Sequence, residues 1–131
     1  MREKPTTLIL YISLKRCGQK VWDLVQRQSN HGCVEMYNSM IQLHERLNQI
    51  SHDDVIAVLF IPDHLELANI LRFAQVLHDV KSILVLPDRE AETIALGHTL
   101  YPRFISFADG DLQDVAAVLD KMLHRFEPQT A

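Results

Sequence analysis

Strand-like and helix-like runs alternate from Thr7 to Phe126, and this rhythm limits the folds open to the chain more than any other feature. A strand, a helix and a further strand in succession call for a crossover connection. Crossovers of that kind lay strands parallel and put helices over the sheet. Leu8-Ile-Leu-Tyr-Ile12 is apolar without a break, and Val55 to Ile61 and Ser82 to Leu86 are nearly so. A strand apolar on both faces needs cover on both faces. These runs are therefore the expected central strands. Pro62 and Pro87 close two of them, because proline cannot donate to a ladder.

The other runs complete the pattern. Cys33-Val-Glu-Met-Tyr37 alternates and reads as a short edge strand, and Phe104-Ile-Ser-Phe107 as the fifth strand. Helical spacing links Val21, Leu24 and Val25, with Trp22 beside them. It links Met40, Leu43, Leu47 and Ile50 behind a cap at Asn38 or Ser39. It also predicts one helix from His64 to Asp79 through Leu67, Ile70, Leu71, Ala74 and Leu77. A fourth helix opens over Asp88-Arg-Glu-Ala-Glu92 and ends near Gly97. The last carries Leu112, Val115, Ala116, Leu119, Met122, Leu123 and Phe126 at a 3.6-residue period. The expected fold is α/β, a doubly wound three-layer αβα domain. Its five-stranded parallel sheet should have the flavodoxin-like order 2-1-3-4-5, with the second strand at an edge.

With 131 residues the chain should form one domain, 1–131, that needs no metal or disulfide to fold. The net charge is −4 with Lys and Arg scattered, which argues against nucleic acid as a partner. No apolar run approaches the ~20 residues that span a bilayer. Met1-Arg-Glu-Lys-Pro5 leads into a strand without the apolar region of a signal peptide. The expected compartment is the cytoplasm, and the short tail Glu127 to Ala131 leads us to expect no large further segment. Cys17 and Cys33 form no Cys-x-x-Cys pair and read as thiols.

In element order, element size and length, the stretch from Thr7 to Phe126 resembles a two-component response-regulator receiver domain. Receivers carry an acidic pair after strand 1, a phosphoacceptor aspartate ending strand 3, a Thr or Ser ending strand 4 and a Lys-Pro after strand 5. By position, the acidic pair falls on Ile12 and Ser13, and the phosphoacceptor on Val58 or Leu59. The hydroxyl position falls on Leu86 or Pro87, and the Lys-Pro on Phe107 and Ala108. Every signature position is changed, so the resemblance is to an atypical, degenerate receiver. Mg²⁺ needs oxygen ligands, and the Ile12 and Leu59 side chains offer none. Asp63 is the nearby acid, but it follows Pro62. The segment from Gly97 to Phe104 is also longer than the family's spacing. The resemblance still implies a contact surface on the fourth helix, fifth strand and fifth helix, where Phe104 matches the family's switch aromatic.

Ligands of open α/β sheets bind along the carboxyl edge. Lys15, Arg16, Cys17, Asp63, His64, Asp88, Arg89, Glu90, Asp109 and Asp111 should gather there. His52-Asp-Asp54 and Asp63-His64 cannot share an ion. A strand of about eight residues separates them by roughly 25 Å. Asp63, His64 and Asp88 could form a site together, though a metal usually takes more ligands. Cys17 at a helix start beside Lys15 and Arg16 would have a lowered pKa. That placement suggests a phosphocysteine carrier, although no phosphate-shaped Gly-rich loop accompanies it. No Gly-x-Ser-x-Gly elbow supports serine catalysis. Trp22, Phe73, Tyr101 and Phe126 are candidate partner anchors.

The expected function is phosphorylation-independent signalling or scaffolding through protein contacts, with no catalysis and no cofactor or metal. The expected partner is a protein: a kinase, a regulator or a second copy in a homodimer. Glu92, Phe104, Asp114, Lys121 and Arg125 are the expected contact residues. The alternatives are a small enzyme or phosphocarrier using Cys17 or Asp63 and His64, and a non-catalytic assembly subunit.

Overall fold

A computed structural model gives the fold and describes residues 7–13, 15–28 and 34–124, without the side chains of 15–18, 28 and 124. The strands are β1 (Thr7–Ile12), β2 (Val34–Tyr37), β3 (Val55–Phe60), β4 (Lys81–Leu86) and β5 (Phe104–Phe107). All pair in parallel, in the order β2-β1-β3-β4-β5. The fold expected from the alternation is the one observed. The helices are α1 (Lys15–Gln28), α2 (Met40–Leu47), α3 (His64–Leu71), α4 (Ala74–Leu77), α5 (Ala91–His98) and α6 (Gln113–His124). A 3₁₀ turn, His52–Asp54, precedes β3.

The alternation of side chains along each strand divides the core in two. Leu8, Leu10, Ile12, Val58 and Val85 face a layer built by Val21, Leu24 and Val25 of α1 and by Val115, Leu119 and Met122 of α6. Ile9, Tyr11, Leu59, Leu84 and Leu86 face the other way. There they meet Met40, Leu43 and Leu47 of α2, Leu67 and Ile70 of α3, Leu77 of α4 and Ile94 of α5. Every residue of β3 is buried, as its unbroken apolar run requires. Val34 and Tyr37 at the ends of β2 are only half-buried, in keeping with an edge strand.

Several boundaries differ from the expectation. The single helix predicted from His64 to Asp79 is two, because the chain leaves helical geometry at Phe73. There φ is −107° and ψ 21°, and the Phe73 ring packs at 5.7 Å from the His44 ring of α2. Regular pairing in β3 stops at Phe60, yet the Ile61 N–H still donates to the Val85 carbonyl at 2.9 Å. α5 begins at Ala91 rather than within 88–90, because Asp88 turns back to accept from the Glu90 N–H. Leu112 lies just before α6 in the left-handed region, φ 65°, and is nonetheless buried. Gly97 lets α5 lie close on β4, since a Cβ there would meet Leu86 Cδ1 at 3.2 Å. Among the described residues no helix is long and apolar enough to cross a membrane.

Candidate functional site

In this sheet the chain winds outward in opposite directions from β1 and from β3. A crevice opens at such a switch point, outside the carboxyl ends of the strands. The loops after β1, β3, β4 and β5 surround it. The side chains of Lys15, Arg16 and Cys17 from the first loop lie outside the described residues.

The strand ends beneath these loops are apolar. Ile12 and Phe60 are register neighbours, as are Phe60 and Val85, and all three are buried. Val58, Leu59 and Leu86 are fully buried. Val58 and Leu59 sit within β3, two and one residues short of its last position, and Phe60 and Ile61 beyond them are equally apolar. Ser13, Pro87, Phe107 and Ala108 are half-buried at the rim.

Asp63 caps α3, its carboxylate accepting from the Glu66 N–H at 2.8 Å. His64 reaches the opposite way, across to the loop after β4. Its Nε2 lies 2.6 Å from Asp88 Oδ2 and 3.3 Å from the Thr93 hydroxyl, which is buried at the start of α5. Asp88 is held below the usual carboxylate range by the Thr93 hydroxyl, then by His64 and the Glu90 N–H. His64 is held above the usual imidazole range, chiefly by its bond to Asp88. So His64 and Asp88 come together as the sequence allowed, while Asp63 is turned to its own helix. Among the described residues no three His, Cys, Asp or Glu side chains are placed to share a metal ion. His52 and Asp53 lie at the opposite end of β3, where His52 bonds the Leu47 carbonyl at 2.9 Å.

Other charges at this edge clasp one loop to another. Arg89 pairs with Asp109 at 3.0 Å, and its guanidinium stacks 4.3 Å above the Phe107 ring. Lys20 of α1 donates to the Gly110 carbonyl at 3.4 Å. Asp111 accepts from the Gln113 N–H. Each contact fixes a loop after a strand to the element beside it.

Two clusters went unread in the sequence. The buried Tyr11 hydroxyl donates to Glu66, which also accepts from Asn69 at 3.2 Å. Burial, reinforced by Glu66, pushes the Tyr11 phenol well above its ordinary value. A tyrosine inside an apolar strand was the available signal, since a buried hydroxyl needs a partner. On the edge strand, Glu35 accepts two bonds from Arg46, each 2.8 Å, and one from Tyr37. Arg46 holds Glu35 below its usual range.

The expected contact residues are spread around β5. Glu92 of α5 and Lys121 of α6 are exposed. Asp114 is exposed but bonded to the buried Ser106 hydroxyl at 2.9 Å. Phe104 is half-buried and packs with the α1 and α6 layer. Arg125 and Phe126 lie outside the described residues. Of the other aromatics, Trp22 and Phe73 are half-buried against the core, and Tyr101 is exposed and stacked on His78. Comparison with protein-family models, with curated proteins and with solved structures found no match.

Proposed function

We propose that the chain is a receiver-like signalling or scaffold domain that works in the cytoplasm through protein contacts and without phosphorylation. One observation carries this reading. The positions that match a receiver's first acidic residue, phosphoacceptor and hydroxyl are buried carbon at Ile12, Val58 or Leu59, and Leu86. Hydrocarbon side chains supply no oxygen to Mg²⁺ and no acceptor for a phosphoryl group. What remains of the receiver design is the sheet order and the two helical layers. A partner protein meets the face around β5, flanked by α5 and α6, where Glu92 and Lys121 offer both signs of charge.

Incubation with acetyl phosphate and Mg²⁺ tests the first half. No acid-labile, hydroxylamine-sensitive phosphate should appear, and one on any aspartate would overturn the reading. Capture of native partners tests the second half. Binding should weaken when Lys121→Glu is introduced and survive Cys17→Ser.

The His64–Asp88 pair favours a second reading, proton transfer or ligand binding at the carboxyl edge, because a carboxylate-oriented imidazole is a common acid–base device. If Cys17→Ser or His64→Gln abolishes the biological function while Lys121→Glu leaves it intact, this second reading replaces the first.

A further inference from the structure

The outer surface shared by α3 and α5 is apolar, although it faces solvent. Leu65 is 82% exposed and Leu96 38%. Ala68 and Ala95 are exposed with them. The two helices adjoin, since His64 at the start of α3 reaches Thr93 in the first turn of α5. Both follow parallel strands on the same side of the sheet, so they run in the same direction with their N-termini at the carboxyl edge. Solvent-facing helix surfaces ordinarily carry charge across their width. Here charge is confined to the two ends.

Those ends differ in sign. Asp63, Glu90 and Glu92 are exposed at the N-terminal end. Arg72 follows the last turn of α3, and His98 closes α5. Among the described residues neither Arg72 nor Glu92 makes a side-chain hydrogen bond or ion pair.

We propose that a second copy of the chain docks on this face, its helices antiparallel to those of the first. In an isologous contact the same patch meets itself, and the two-fold axis lies in the plane of contact. An axis running across the helices lays α3 on its own counterpart head to tail, and α5 likewise. Asp63 of α3 then meets Arg72 of the other copy, Glu90 and Glu92 of α5 meet its His98 end, and the helix dipoles oppose favourably. An axis along the helices would stack acid on acid, which like-charge repulsion disfavours. A face acidic at one end and basic at the other is complementary to itself reversed, whereas a partner of uniform charge matches only half of it. Ala68 and Ala95 allow close approach, and Leu65 and Leu96 supply the protruding apolar groups.

The contact is small. An eight-residue helix is about 12 Å long, so the pair forms a short, broad patch. The dimer belongs with weak, reversible interfaces below ~1,200 Å². It shares α5 and Glu92 with the face proposed above for partner proteins, but it is centred on Leu65 of α3, across the sheet from Lys121 of α6, and does not depend on that reading.

Sedimentation and light scattering across a concentration series test it on the full chain. The average mass should rise from monomer toward dimer, and added salt should oppose the rise. Leu65→Lys should hold the protein monomeric with an unchanged melting temperature, since Leu65 contributes to solvent-facing surface. Asp63→Lys or Arg72→Glu alone should weaken the dimer about fivefold, and the two together should recover most of the loss. The proposal is overturned if the chain stays monomeric at millimolar concentration, or if Leu65→Lys leaves the dimer intact. It is also overturned if the double charge exchange is weaker than either single change. A dimer that Lys121→Glu breaks and Leu65→Lys spares would instead place self-association at the β5 face.

Discussion

The Tyr11 hydroxyl, on a side chain with 1% exposure near the carboxyl end of β1, donates to the carboxylate of Glu66 on α3. This bond joins β1 to α3 across the switch point, and its two ends are unequal. Glu66 is half-buried, so water can reach it when its partner is removed. The phenol cannot be rehydrated without opening the core.

Removing the acceptor should therefore harm the fold more than removing the donor. Glu66→Leu strands a buried hydroxyl and should cost about 2 kcal/mol, against about 1 kcal/mol for Tyr11→Phe. Urea unfolding of the two variants measures the difference, and equal losses would show that the phenol finds another acceptor. A pH effect accompanies the bond. The Tyr11 phenol ionises well above its ordinary value, because burial and then Glu66 disfavour the phenolate. A raised acid stabilises the fold fully below its unfolded pKa of about 10 and loses that contribution as pH rises beyond it. Alkaline absorbance titration should find one tyrosine ionising only as the protein unfolds, and Tyr11→Phe should abolish that step.

The Glu35–Arg46 pair should act in the opposite pH range. Arg46 lowers the Glu35 pKa, so the stabilisation is present above the unfolded value near 4.3 and is lost as pH falls through the folded one. Both side chains are about a quarter exposed, at 25% and 29%. Solvent screening then keeps the effect of Arg46→Ala on stability small at neutral pH. Arg46→Lys should recover little of it, because a single ammonium cannot make both 2.8 Å bonds at once. Urea midpoints at pH 3 and pH 7 should converge for the native chain and Arg46→Ala at the lower pH.

His64 carries a third pH signature. Its pKa lies above the ordinary imidazole value because of Asp88. Its contact with Asp88 therefore contributes fully below about pH 6.5 and fades as pH rises through the folded value. NMR titration should place the His64 midpoint above that of the Asp88→Asn variant. Coincident midpoints would mean that the contact is not made in solution.

How much of this could be read in the sequence depended on whether the signal was local. The central strands were legible because Leu8–Ile12, Val55–Ile61 and Ser82–Leu86 leave no polar face to expose. The break at Phe73 was not, since no glycine, proline or capping residue marks it in the sequence, and the His44 ring that Phe73 meets belongs to another helix. Asp63 and His64 were legible as candidates, but not their separate uses. One caps its own helix, while the other crosses to Asp88 in a loop that only the sheet order brings near. Glu35 and Arg46 lie on different elements at a spacing that matches no periodicity. Tyr11 signalled a need for a partner without saying which.

Ser82 gives a prediction of opposite sign to most core changes. Its hydroxyl is buried in β4 with no hydrogen-bond partner among the described residues. Removing a polar atom that is desolvated and unpaired relieves its penalty at the expense of one small atom's volume. Ser82→Ala should leave stability unchanged or raise it by up to about 1 kcal/mol. A clear loss would reveal a partner for the hydroxyl in solution.

Leu59 bears most directly on the proposed function. It lies at 0% exposure between Tyr11 of β1 and Leu84 of β4, facing the α2 and α3 layer. A carboxylate at that place loses its hydration and meets only hydrocarbon and the Tyr11 ring. Leu59→Asp should therefore cost several kcal/mol, on the order of 3 to 5, with the acid protonated or the core opened to water. Thermal melting with and without Mg²⁺ is the measurement. The expected result is a large drop that the cation does not reverse. A variant that melts near the native temperature and gains stability from Mg²⁺ would mean that β3 still frames an ion site. The apolar closure on which the phosphorylation-independent reading rests would then be a matter of one side chain.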